Sequence, residues 1–180
     1  MSLVKSMSDG LDKTALAILS NKPLGHIEHH ALDALIGGIR QYLCIVPGGP
    51  GTGKTTFMHQ LGDSWAIAGH PVVIFEGELA RASMLAKSLT RISGGKLTYD
   101  DMYSGEMSEE KRELFDGTVE IYAHSVAERM FIVSGEIKNT GMRKVIEEVA
   151  DKYGEPPLVI VDYAQIVSLP QELRIVDERI

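Results

Sequence analysis

Cysteine is nearly absent: Cys44 is the only one in 180 residues. An internal disulfide is therefore excluded, and a reducing cytoplasm is the expected setting. Long apolar runs are missing too. None approaches the roughly 18 residues that cross a bilayer, so no membrane partner is expected. The opening MSLVKSMSDG has no apolar stretch of the kind a secretory signal needs. Nor is there a surplus of basic residues. A net charge of −7 argues against a surface that coats nucleic acid generally, while leaving room for a local basic groove. The densest acidic cluster, Glu106, Glu109 and Glu110, reads as a solvated helix start.

What remains is ordinary for a globular protein, with 44% apolar and 24% charged residues. The length suits one domain with a real core. No internal repeat or low-complexity tract interrupts it. Short β-rich apolar runs alternate with amphipathic helical stretches. Helices are expected near Asp9–Leu19, Ala31–Leu35, Lys54–Ala68, Ala80–Ile92, Glu109–Phe115 (capped by Ser108) and Asn139–Tyr153. Strands are expected at Tyr42–Val46, Val72–Phe75, Met130–Val133 and Leu158–Val161. Phe57, Met58, Leu61 and Trp65 mark the expected inner face of the Lys54 helix, and Cys44, within Leu-Cys-Ile-Val, is expected to be a buried structural thiol. The alternation implies an α/β fold, a mostly parallel sheet with helices on both faces.

One motif carries chemistry without ambiguity. Gly48, Gly49, Pro50, Gly51, Thr52, Gly53, Lys54 and Thr55 match G-x-x-x-x-G-K-[ST] at every fixed position. Glycines allow backbone N–H groups to turn inward on phosphate oxygens, and the following helix aims its positive end at the same place. Lys54 is expected to reach the β- and γ-phosphates and Thr55 to ligate Mg2+, with Thr56 in the same site. ATP with magnesium is the implied ligand. Leu158-Val159-Ile160-Val161-Asp162, an apolar strand ending in an acid, supplies the second magnesium residue, Asp162. Hydrolysis needs a further carboxylate to activate water. Glu76 and Glu78 both follow the Val72–Phe75 strand, at the carboxyl end where open α/β sheets place ligands. Physical reasoning on the sequence divides the role evenly between them.

These residues resemble the C-terminal ATPase domain of DnaB-type replicative helicases, within the RecA-like P-loop ATPases. Leu32-Asp33-Ala34-Leu35-Ile36-Gly37-Gly38 is similar to the family's L-D-x-x-x-G-G entry segment. Phe75-Glu76-Gly77-Glu78-Leu79 resembles F-S-L-E-M, and in that match Glu78 falls on the catalytic glutamate. Asp162-Tyr163-Ala164-Gln165-Ile166 resembles D-Y-L-Q-L, which would make Gln165 a sensor near the site or a neighbouring subunit. Phe75-Glu76-Gly77-Glu78 is more acidic than the family pattern, and Gln41-Tyr42 stands where the family often has glycine. The resemblance implies an N-terminal helix and linker over 1–30 and a RecA-like ATPase domain over 31–180, truncated at its C-terminal side. It also implies a motor that hydrolyses ATP on single-stranded DNA as a homo-oligomer, a hexameric ring, in the cytoplasm. The alternative is a regulatory or helicase-loading ATPase that unwinds nothing. Among other candidates, His26, His29 and His30 lack metal-site spacing. His59, His70 and His124 read as isolated, and Lys111 and Arg112 as exposed helical charges.

Overall fold

The computed structural model describes residues 23, 25–26, 30–39, 43–77, 79–135, 137–162 and 167–168. The expected Asp9–Leu19 helix, Glu78 and Gln165 lie outside them. The chain divides into two compact units, Met1–Ile45 and Val46–Ile180.

In the first unit, helix α1 (His30–Ile36) forms where apolar spacing predicts it and stops at Gly37, whose N–H donates to the Asp33 carbonyl. Gly25 and Ile39 then form one antiparallel bridge, and His26 approaches Asp33 at 3.6 Å. The expected strand at Tyr42–Val46 does not form over its described residues. Leu43 and Ile45 are exposed, and so is Cys44, contrary to the buried thiol expected. An apolar run becomes a buried strand only when a neighbouring strand takes its backbone hydrogen bonds, and these residues have no such ladder.

The second unit is built on the strand β1 (Val72–Glu76), every residue of which is buried. Helix α2 (Lys54–Ile67) precedes it, and α3 (Arg81–Ile92), α4 (Tyr99–Tyr103) and α5 (Glu109–Tyr122) follow. A π-helical turn, Ala123–Ala127, extends α5 before β2 (Met130–Ser134), the short β3 (Ile137–Lys138), α6 (Asn139–Tyr153), β4 (Leu158–Asp162) and β5 (Val167–Ser168). The main sheet runs β2-β1-β4, parallel throughout, while β3 and β5 pair separately in parallel. Its central strand is a continuous run of Val, Val, Ile and Phe because both of its faces are covered.

Alternation along β1 sorts the two faces. Val73 and Phe75 pack with Val149 of α6 and are joined by Phe131, Val133, Val159 and Val161 from the flanking strands. The residues between them face α2. A Cβ on Gly62 of α2 would sit 3.3 Å from Ile160 and 3.4 Å from Val72, so that glycine lets the helix lie close on β1 and β4. The buried residues of α2 are His59, Gly62, Asp63, Trp65 and Ala66. Phe57, Met58 and Leu61 are half-buried, which corrects the expected inner face: the bulky apolar residues flank the contact, and small or polar ones fill it. Asp63 is accepted there because Ser88 and Arg91 of α3 hydrogen-bond to it. Ser108 caps α5 as expected. Lys111 is not a free surface charge; it donates to Asp101 and to the Lys96 carbonyl, tying α5 to the capping box of α4. Among the described residues no helix is long and apolar enough to cross a membrane.

Candidate nucleotide-binding site

The phosphate-loop residues Gly48–Gly53 form an exposed turn that runs straight into α2. Gly53 occupies the N-cap position at φ 86°, a left-handed conformation that a β-carbon would strain, and no side chain caps the helix start. The first N–H groups of α2 thus keep the donor capacity that helix starts offer to anions. Thr52 and Lys54 both turn toward the loop: the Thr52 hydroxyl donates to the Gly49 carbonyl at 2.9 Å and the Lys54 ammonium to the same oxygen at 2.7 Å. Pro50 and Gly51 make the outer turn. Thr55 is half-buried on the first turn of α2, and exposed Thr56 accepts a hydrogen bond from Lys87 of α3 at 3.2 Å.

Asp162 and Glu76 are register partners at the ends of β4 and β1. Partners in a parallel ladder point to the same face, so both belong to the row facing α2. One Asp162 oxygen, Oδ2, is buried without a hydrogen-bond partner among the described residues. A buried carboxylate oxygen of this kind, together with a threonine hydroxyl on the phosphate-loop helix, is an oxygen donor set that fits magnesium.

His59 joins this row from above. Four residues after Thr55, it lies on the same side of α2, is buried, and brings Nε2 to 3.8 Å from Oε2 of Glu76. Burial holds the imidazole below its usual 6.5, although the carboxylates of Asp63, Glu76 and Asp162 pull the other way. The ring is therefore neutral near pH 7. Sequence reasoning set His59 aside as isolated; its four-residue offset from Thr55 was the available signal. Glu76 is only 2% exposed, and its Oε1 accepts the Leu79 N–H at 3.0 Å. It is thus engaged with the turn that follows the strand rather than open to solvent.

The profile of the family described as DnaB-like helicase C-terminal domain matches residues 26–179. The chain belongs to that family. The match takes in the phosphate loop, the β1 end and the Asp162 strand together. Among solved structures, the chain is similar to the ATPase domain of a DnaB-like helicase. The TM-score is 0.70 at 13% identity, over 92% of this chain and 59% of that one. At that identity the likeness shows the fold: a RecA-like α/β ATPase core, as the strand–helix alternation implies. The chain thus spans 59% of the length of that structure. No curated protein matches the sequence.

Proposed function

We propose that this DnaB-like domain is the ATP-binding and ATP-hydrolysing motor of a replicative-type helicase, acting on single-stranded DNA as a homo-oligomer, a hexameric ring, in the cytoplasm. The observation that carries the reading is the convergence of an uncapped helix start behind Gly48–Gly53 with the partnerless Asp162 oxygen at the end of a neighbouring strand. In this reading residues 1–30 form the N-terminal helix and linker, and 31–180 the ATPase domain.

Each residue's task follows from its chemistry. Backbone N–H groups from Gly48 to Thr56 hold the phosphates, and Lys54 moves from the Gly49 carbonyl to the β- and γ-phosphate oxygens. Thr55 and Asp162 would hold magnesium, which neutralises charge developing on the phosphates when bound. Glu78 orients the attacking water and takes its proton, and in-line attack on the γ-phosphate follows. Gln165, three residues past Asp162, serves as a sensor of the site's occupancy. Glu78 is favoured over Glu76 because the Glu76 carboxylate is already buried and bonded to Leu79.

The test is ATP turnover by the purified chain with and without single-stranded DNA, beside Lys54→Ala and Glu78→Gln. DNA-stimulated turnover, lost in both variants while Glu78→Gln still binds nucleotide, is the expected result. Turnover indifferent to DNA would favour the loading or regulatory alternative. Binding without any turnover would overturn the motor reading.

A further inference from the structure

Glu76 raises a question that the site's ordinary parts do not answer. Burying a carboxylate is costly unless it is bonded, and this one sits among the apolar residues of a central strand. Its two oxygens face two different elements. Oε1 accepts the backbone N–H of Leu79, three residues ahead, while Oε2 lies 3.8 Å from His59 on the phosphate-loop helix. Between these anchors, the Gly77 N–H donates to the Asp162 carbonyl at 3.1 Å. The backbone leaving β1 is therefore fixed at Gly77 to the strand bearing Asp162, and at Leu79 to the side chain of Glu76. The residue enclosed by these two ties is Glu78.

We infer that Glu76, supported by His59, is a positioning residue: its carboxylate fixes the turn Gly77–Leu79 and thereby sets where Glu78 stands relative to the phosphate loop. The inference rests on the proposed role of Glu78. The arrangement belongs to this chain's own sequence, since the family pattern has serine at the Glu76 position. The bond to Leu79 requires only an acceptor oxygen on a side chain of this length, so glutamine should replace glutamate here. A water-activating base could not be replaced in that way, because an amide does not take up a proton at neutral pH. His59 enters from α2, so the helix that starts at the phosphates and the turn carrying Glu78 share one buried contact.

The experiment compares the purified chain with Glu76→Gln, Glu76→Ala and His59→Ala. It measures kcat and KM for ATP, affinity for a fluorescent ATP analogue, and amide exchange at Leu79. In Glu76→Ala, Leu79 exchange should speed up and kcat should fall by about 10²-fold, the order expected for a displacement of about 1 Å at a reacting centre, with analogue affinity held. Glu76→Gln should keep Leu79 protection and most of kcat. His59→Ala should shift both readouts in the direction of Glu76→Ala, by less. A large kcat loss in Glu76→Gln with Leu79 still protected would overturn the proposal and make Glu76 the base. Unchanged Leu79 exchange in Glu76→Ala would overturn it as well. If Glu76→Ala fails to fold, the glutamine variant alone decides by the same criterion. If the parent chain binds ATP without turnover, the motor reading fails, yet Leu79 exchange in the alanine and glutamine variants still decides whether the tether exists.

Discussion

Arg91 closes on Asp63 from the neighbouring helix, with Nη2 2.9 Å and Nε 3.1 Å from the same carboxylate oxygen, while Ser88 donates to the other at 3.0 Å. Asp63 is 2% exposed, so this pair joins α2 to α3 from inside the packing. Asp63→Ala would leave Ser88 and Arg91 without their acceptor. Removing one partner of such a pair costs about 3 kcal/mol, and urea denaturation should show a loss of that order. Asp63→Asn, which keeps an acceptor oxygen, should cost less. Equal losses in the two variants would mean that charge alone holds the helices.

Gly62 offers a test of close packing. The Cβ of an alanine there would meet Ile160 and Val72 at 3.3 and 3.4 Å, tight but adjustable by side-chain movement. Alanine gains about 1 kcal/mol of helix propensity over glycine, so Gly62→Ala should change stability little. Valine adds two further carbons against the same wall, and overpacking of this kind costs about 2 kcal/mol. Thermal unfolding of both variants should separate them; a valine variant as stable as the parent would mean that α2 can move off the sheet freely.

Gly53 tests the phosphate loop. At φ 86°, an alanine would carry about 1–2 kcal/mol of left-handed strain. If the loop must hold this conformation to bind phosphate, that strain appears as roughly a tenfold loss of nucleotide affinity. Titration with a fluorescent ATP analogue should show it. Lys54→Ala should lose affinity as well, with its fold intact, because Lys54 bonds only to an exposed loop carbonyl.

Asp101 supplies a pH dependence with a clear sign. The Thr98 backbone N–H, then the Lys111 ammonium and the Thr98 hydroxyl, hold its carboxyl at about 2, below its ordinary 3.8. A carboxylate depressed on folding contributes stability that is fully present above its unfolded value and is lost as pH falls through its folded one. The junction of α4 with α5 should therefore loosen as pH drops from 3.8 toward 2. Carboxyl NMR should place the Asp101 midpoint near 2, and Asp101→Asn should remove that contribution to acid sensitivity. A midpoint near 3.8 would mean the capping box and Lys111 do not hold in solution.

Much of this architecture was legible in the residues alone. Asn139–Tyr153 and Leu158–Asp162 form as their periodicity and length predict, because a helix's apolar stripe and a buried strand's unbroken run are local patterns. The phosphate loop was legible for the same reason: its glycines, Lys54 and Thr55 are contiguous, and their chemistry depends on spacing along one turn. Tyr42–Val46 shows the limit. Its composition is that of a buried strand, but strand formation depends on a partner elsewhere in the chain, and Leu43–Ile45 have no ladder.

The sequence by itself determined that this chain has a phosphate-binding turn, an acid at the end of an apolar strand, and an alternation that permits only a parallel sheet with helices on both faces. Only the tertiary structure decided what Glu76 and His59 do. They stand 17 positions apart on a helix and a strand, and no periodicity couples them. The parallel register places Glu76 beside Asp162, the smallness of Gly62 lets α2 descend onto that row, and the two side chains meet where water is excluded. Burial and pairing are properties of the packed layers, and they become visible only when the helix lies on the sheet.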